Sequence, residues 1–461
     1  MGEHMNDGPP PLSASVLDQF RARLHGAICV PEDSNYDTAR RVWNGAIDRR
    51  PSCIVMCADA EDVSHAVRIA ADNGLPLTIR GGGHNVAGRS VGDRVLLLDL
   101  SNLRGVSVNR ELRIATVQGG ATWRDVDGAT AVEGLATTGG LVSSTGVGGF
   151  TLGGGAGWLM RKHGLACDNL RGAGVVLADG RFVRASAHEH ADLFWGLRGG
   201  GGGLGVVTSF EFQLHPVREV LAGLIVHPGK DALEALRAFR DFAAKAPDEF
   251  CGIAVIAHGP PLPFLDKAWH GRPVVMFAVC WTGELAAGEQ ALSALRGHGQ
   301  PVVDHVAPMA YSNWQQLQDP GAPRGHYYYW KTANYKSLSD ATLGELAALA
   351  DRLPTMRSEI HVQHMGGAIA RIAADDSAFA HRSAQFFVNF IGITDTADAM
   401  GLLRDRIRAL YEPAARDALP GTLTNFTDQD DSDAIRRFGH CAGRLEALKR
   451  KYDPATTLLG S

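Results

Sequence analysis

No run of about 18 apolar residues occurs in the 461-residue sequence, so no segment reads as a membrane-spanning helix. The opening, MGEHMNDGPPPLSASV, has no basic start followed by an apolar stretch, and no export signal is expected. An excess of one charge sign is also missing. Lys and Arg number 45 against 50 Asp and Glu, a net charge of -5. That balance is too even to suggest a polyanion-binding surface, and nucleic acid is not an expected partner. Cysteine is scarce: Cys29, Cys53, Cys57, Cys167, Cys251, Cys280 and Cys441 are odd in number and scattered. A chain of this size needs no disulfide framework, and a reducing, cytoplasmic setting is expected. Only Cys53 and Cys57 are close, and no second pair at ligand spacing accompanies them, so they read as strand residues and no metal is expected.

Two phosphate-binding signatures fail as well. No G-x-x-x-x-G-K-S/T occurs, which argues against a nucleoside triphosphatase loop. Gly200, Gly202 and Gly205 satisfy G-x-G-x-x-G formally, but helical ADLFWGL precedes them and strand-like VVTSFEFQL follows, the reverse of a dinucleotide turn.

What is abundant is glycine, 55 of 461 residues against a usual share of about 7%. It gathers at Gly81–Gly83, Gly139–Gly157 and Gly199–Gly205, each cluster beside strand-like sequence. Glycine lets backbone approach a ligand with no Cβ in the way, so such clusters suit a phosphate or a flat ring. A flexible loop is the other reading for any one of them.

Residues 53–80 read as strand, helix, strand, with Val63, Ala66, Val67 and Ala70 on one helical stripe. From about 217, helical stretches such as KDALEALRAFRDFAAKA alternate with strands such as GIAVIAHG and PVVMFAVCW. That pattern predicts an antiparallel sheet with helices on one face. The spacing of Ile435, Phe438, Ala442, Leu445 and Leu448 predicts a final helix with a single apolar stripe.

Seven stretches carry a family resemblance. They are WNGAIDRRP (43–51), TIRGGGHNVAGRS (78–90), TTGGLVSSTGVGGFTLGGGAGWLMRKHGLACDN (137–169), DLFWGLRGGGGGLGVVTSFEF (192–212), HMGGAIARI (364–372), LTNF (423–426) and LEALKRKYDP (445–454). In order and spacing the sequence resembles the berberine-bridge-enzyme-like branch of the vanillyl-alcohol-oxidase superfamily. The resemblance implies an α+β chain with a two-domain PCMH-type FAD-binding fold. An FAD domain would span about 25–216 and be completed by 421–461. An antiparallel-sheet substrate domain flanked by helices would span 217–420, and the last helix would return to the first domain.

By the same resemblance His84 would bond covalently to the flavin, with Arg80, Gly81, Gly82, Gly83 and Asn85 around the phosphates. A neutral imidazole is a competent nucleophile near pH 7, although it could instead only hydrogen-bond a phosphate. Further cofactor contacts would come from Gly139, Gly140, Val142, Ser143, Thr145 and Gly146. Gly148, Gly149, Gly153, Gly157, Asp168, Asn169 and Val206 would complete them. Relatives with a second tether carry cysteine where Val142 stands, so FAD linked through His84 alone is expected. Thr145 falls where relatives admit or exclude oxygen, with Phe150 beside it, and it reads equally as a turn contact.

For the substrate side the resemblance points to Lys331, Tyr335, Gln363, His364 and Asn425, and Tyr327–Trp330 could add aromatic walls. Lys331 reads equally as a solvated strand residue, and Tyr335 and His364 as core groups with satisfied hydrogen bonds. Three departures leave the catalytic base open. Leu423 replaces a tyrosine, Phe438–Ala442 replaces a Y-G-x-N-Y helix, and a closing asparagine–glutamine–asparagine is missing after Pro454. The expected partners are a small-molecule substrate and O2. The expected activity is an oxidase taking hydride from an alcohol or amine carbon and yielding H2O2. A flavin-dependent oxygenase and a non-catalytic flavin-binding protein are the competing readings.

Overall fold

A computed structural model describes residues 12–428 and 433–459. The last two residues of the TTLLGS tail and part of the expected C-terminal segment lie outside the described residues. The chain is α+β, built on three main sheets. The first has four strands, in the order Ala27–Cys29, Cys53–Met56, Leu96–Asp99, Leu77–Arg80, the last three of them parallel. The helix Ala60–Asp72 makes the crossover. Asp59 caps it by accepting from the amide of Asp62 at 2.9 Å, and Val63, Ala66, Val67 and Ala70 are buried beneath it. Residues 457–459 pair with this sheet, because Leu77 and Leu458 form a parallel bridge.

The second sheet has five antiparallel strands, in the order Val106–Asn109, Ile114–Gln118, Val206–Gln213, Leu170–Val176, Phe182–Ser186. Trp123, Phe210, Phe212, Leu193, Leu445 and Leu448 share its core, which docks the helix Ala442–Tyr452 against Ala191–Leu197. The predicted single terminal helix is broken. Ala434–Phe438 ends at Gly439, whose φ of 49° a side chain disfavours, and Ile435 is left 71% exposed.

The third sheet has seven antiparallel strands. Their order is Val303–Ala310, Glu219–Pro228, Pro273–Trp281, Phe250–His258, Glu359–His364, Phe386–Thr394, Tyr327–Tyr335. Successive side chains alternate between its faces. Ala254, Ile256, Ile360, Val362, Val388 and Phe390 pack under the helices Ala232–Ala243, Leu285–Arg296, Asp340–Ala347 and Met400–Ala414. Ile253, Val255, Met276 and Phe387 face the first half of the chain, where Trp158, Met160 and Leu165 meet them.

One buried acid joins the two halves. Asp127, on the helix Trp123–Val132, accepts from Gln315 Nε2 at 3.2 Å, and burial pushes its carboxyl up to about 7. The unfolded value is near 4, so the native state holds the extra proton between these limits. Stability should therefore fall as pH rises from about 4 through 7. Asp127→Asn should raise the thermal midpoint at pH 8, by about 2–4 kcal/mol in stability, and change little at pH 4. Melts of both proteins across this range check the sign.

Candidate active site

The glycine clusters and the inner face of the seven-stranded sheet enclose one cavity of about 800 Å3, toward the upper end of the ~300–1,000 Å3 range of ligand pockets. Gly81, Gly82, Gly83, His84 and Asn85 line it from the loop after Leu77–Arg80. Gly140, Val142, Thr145, Gly146, Gly148, Gly149, Phe150 and Gly153 line it from the turn and short helix that end at Leu152. Gly201, Gly202, Gly203 and Gly205 close it beside Val207. Glycine is required where the first two clusters meet. A Cβ on Gly82 would lie 2.3 Å from the Gly146 amide nitrogen, and one on Gly146 would lie 2.2 Å from that of Gly82.

His84 stands at this wall. Its Nε2 lies 2.8 Å from Ser144 Oγ, and its ring stacks on Trp43 with centroids 4.9 Å apart. Trp43 in turn stacks on Tyr328 at 3.8 Å and donates to the carbonyl of Ala322. Burial, assisted by the Arg324 cation, pushes the imidazole down to about 3, so it is neutral near pH 7. With Nε2 held by Ser144, Nδ1 is the nitrogen left for another bond.

Asn425 reaches the same place from the C-terminal segment. Its Nδ2 donates to the carbonyls of Gly149 and Phe150, and its Oδ1 accepts from the amide of Gly155. These bonds make it a clamp on the glycine loop. Phe426, the next residue, rests on Trp330 and Phe387 of the sheet, centroids 5.8 and 4.8 Å away. The segment Leu423–Phe426 thus ties the glycine wall to the sheet wall.

Several residues that resemblance assigned to cofactor or substrate lie elsewhere. Arg80 does not line the cavity: its guanidinium makes a buried ion pair with Asp99 at 2.6 Å. Asp168 is paired with Arg382 at 2.7 Å, and Asn169 donates to the carbonyls of His163 and Leu165. Ser143 donates to Asp319 Oδ2 at 2.6 Å. Gly139 and Gly157 serve backbone contact, since a Cβ on Gly157 would sit 1.9 Å from the Gly139 carbonyl oxygen. Val206 is buried in the core of the first sheet.

On the substrate side Gln363 lines the cavity and three other expected residues do not. Tyr335 donates from Oη to the Ala414 carbonyl at 2.6 Å, and burial pushes its phenol up, away from ionisation. Lys331 pairs with Asp428 at 3.0 Å and lies over the Tyr411 ring. His364 accepts from Arg161 at 2.9 Å and is pushed down to about 2 by burial and that cation. In their place the sheet presents Tyr328, Trp330, Glu359, His361, Phe387 and Asn389. Of these, resemblance and composition had suggested only Tyr328 and Trp330. Strand alternation is the signal for the rest, because His361 shares its face with Gln363 and not with His364.

This arrangement fits a flavin dinucleotide. Amide-rich glycine loops suit a pyrophosphate, a neutral histidine stands at the wall, and aromatic side chains offer flat surfaces. Comparison with known proteins agrees. Residues 51–186 match the family described as FAD binding domain. An FAD-linked oxidoreductase of Dictyostelium discoideum is 28% identical over 448 residues, 96% of this chain and 95% of that one. The (R)-6-hydroxynicotine oxidase of Paenarthrobacter nicotinovorans is 34% identical over 289 residues, 62% of each chain. The solved 6-hydroxy-D-nicotine oxidase from Arthrobacter nicotinovorans superposes with a TM-score of 0.85 at 27% identity, covering 94% of this chain and 96% of that one. The chain is an enzyme with an FAD binding domain over residues 51–186 and the two-domain PCMH-type FAD-binding fold, and it is similar to FAD-linked oxidoreductases.

Proposed function

We propose that this enzyme is an oxidase carrying FAD on a single bond from His84. It would oxidise an alcohol or amine carbon of a small, secondary-metabolite-like molecule and pass the electrons to O2, giving H2O2. The observation that carries this reading is the neutral, Trp43-stacked imidazole at the cavity wall, with Nδ1 left to bond a carbon. A second tether has no residue to form it. By the resemblance Val142 occupies the position where a cysteine would stand, and all seven cysteines are buried and none is among the cavity-lining residues. FAD, when bound, supplies a two-electron acceptor. The chain's own residues bind, orient and exclude water. Gly81–Gly83 and Gly201–Gly205 would hold the dinucleotide, Asn425 fixes the loop Gly149–Gly155, and Trp330, Phe387 and Phe426 would exclude water from the cavity.

The aromatic walls, Trp43, Tyr328, Trp330, Phe387 and Phe426, favour a flat hydrophobic substrate over a polyol, in line with a relative named for hydroxynicotine. A peroxide-coupled screen over benzylic alcohols, benzylic amines and sugars tests this. Turnover of sugars alone would refute the substrate class. Thr145 lines the cavity beside Phe150 and Gly140, where a small side chain leaves a path for oxygen. Thr145→Leu should slow air reoxidation of dithionite-reduced enzyme at least about tenfold in stopped flow, a barrier change of about 1.4 kcal/mol. An unchanged rate would place the oxygen path elsewhere.

A further inference from the structure

One row of side chains in the cavity wall contains an ionisable pair that the family resemblance did not assign. Along the strand Glu359–His364, Glu359, His361 and Gln363 face the cavity, while Ile360 and Val362 are fully buried under the helices. His361 Nε2 lies 2.7 Å from Glu359 Oε2, and the two side chains keep 13% and 33% of their exposure. A carboxylate accepting from Nε2–H fixes the tautomer and makes Nδ1 the lone-pair nitrogen. Among the described residues no protein group bonds Nδ1.

The surroundings point to an occupant with polar atoms. His361 faces Val255 on one neighbouring strand and Asn389 on the other. Asn389 Oδ1, Gln363 Nε2 and Trp330 Nε1 line the same cavity, and all three are buried without a partner. Unsatisfied polar atoms in a binding wall are matched when a ligand supplies the missing donor or acceptor. The remaining charged or titratable groups of this wall and its rim are Glu359, Arg357, His258, His270 and Tyr328, whose Oη donates to the Pro323 carbonyl at 2.6 Å. His270 already bonds the Leu265 carbonyl. Leu423, Tyr335, Lys331 and His364 cannot serve as a base in the cavity, for the reasons given above.

We propose that His361, oriented by Glu359, is the general base that removes the O–H or N–H proton of the substrate. This rests on the oxidase reading. In the reaction the donor C–H bond breaks and its hydrogen leaves with both electrons to the bound FAD, which is thereby reduced. The O–H or N–H proton goes to His361 Nδ1, and the pair it leaves behind forms the second carbon–oxygen or carbon–nitrogen bond. Glu359 stabilises the imidazolium, which then returns its proton to water.

The test uses the flavin-loaded enzyme, His361→Gln and Glu359→Gln. The first arm needs no substrate: side-chain 15N spectra of histidine-labelled protein across pH, with the His361 signals assigned by their loss in H361Q. The wild type should show the Nε2–H tautomer, and E359Q should lose part of that preference, because the carboxylate that accepts from Nε2–H is gone. The second arm is anaerobic flavin bleaching by the panel of benzylic alcohols and benzylic amines. H361Q should cut that rate at least about 100-fold while flavin content, melting and dithionite reduction stay at wild-type values. An Nδ1–H tautomer in the wild type, a tautomer ratio indifferent to E359Q, or bleaching in H361Q within about threefold of wild type would each overturn the proposal. A colourless wild-type protein would sink the oxidase reading instead, and the histidine spectra would still judge the pair.

Discussion

Acid-precipitated His84→Ala protein will leave its flavin in the supernatant, whereas the wild-type pellet will stay yellow. The expectation follows from the site. His84 is the imidazole of the first glycine loop, it stacks on Trp43, and Ser144 occupies Nε2, so substitution removes the nitrogen that can bond the flavin while the glycine cradle remains. The variant should therefore fold and still take up FAD reversibly. Alanine also ends the stack with Trp43, a contact worth about 0.5–1.5 kcal/mol, too little to unfold a chain of this size. The contrast is nearly all-or-none in the bound fraction after denaturation. A variant pellet that kept its colour would move the tether to another residue.

A large effect on folding is expected from Gly82→Ala. The new methyl would sit 2.3 Å from the Gly146 nitrogen and 2.5 Å from its Cα, both of them backbone atoms. No rotamer relieves such an approach, so the two glycine clusters must separate, at a cost of about 3–5 kcal/mol and with loss of flavin binding. Gly128→Ala makes the matched control. Gly128 lies inside the helix Trp123–Val132, and a Cβ there meets nothing within 4 Å, so alanine should stabilise the protein by about 0.5–1 kcal/mol. Denaturant midpoints of the two variants should shift in opposite directions. Equal midpoints for Gly82→Ala and wild type would show that the clusters do not touch as described.

Much of this architecture is legible in the sequence because its signals are local. The stripe Val63, Ala66, Val67, Ala70 marks the crossover helix, and the glycine clusters mark the cavity wall. The substrate side is less legible for a reason the strands explain. Lys331 and Tyr335 share a face, as period-two alternation requires, and it is the face under the helices; Trp330, one position away, faces the cavity. The same one-residue offset separates His364, bonded to Arg161, from Gln363 and His361. Which parity is inner depends on which face the helices cover, and that is a tertiary fact. Arg80 and Asp168 are a different case. They sit within motifs that resemble cofactor-binding ones, but their charges are consumed by Asp99 and Arg382. The break at Gly439 was likewise hidden, because the apolar spacing continues through a residue whose φ is positive.

The claim on which the account turns is a single histidyl tether, and intact-mass spectrometry of the denatured wild-type chain, followed by peptide mapping, tests it most directly. The expected result is a mass increased by one FAD, carried wholly on the peptide that contains His84, with every cysteine peptide unmodified. An unmodified mass from yellow protein, or flavin found on a cysteine peptide, would contradict it.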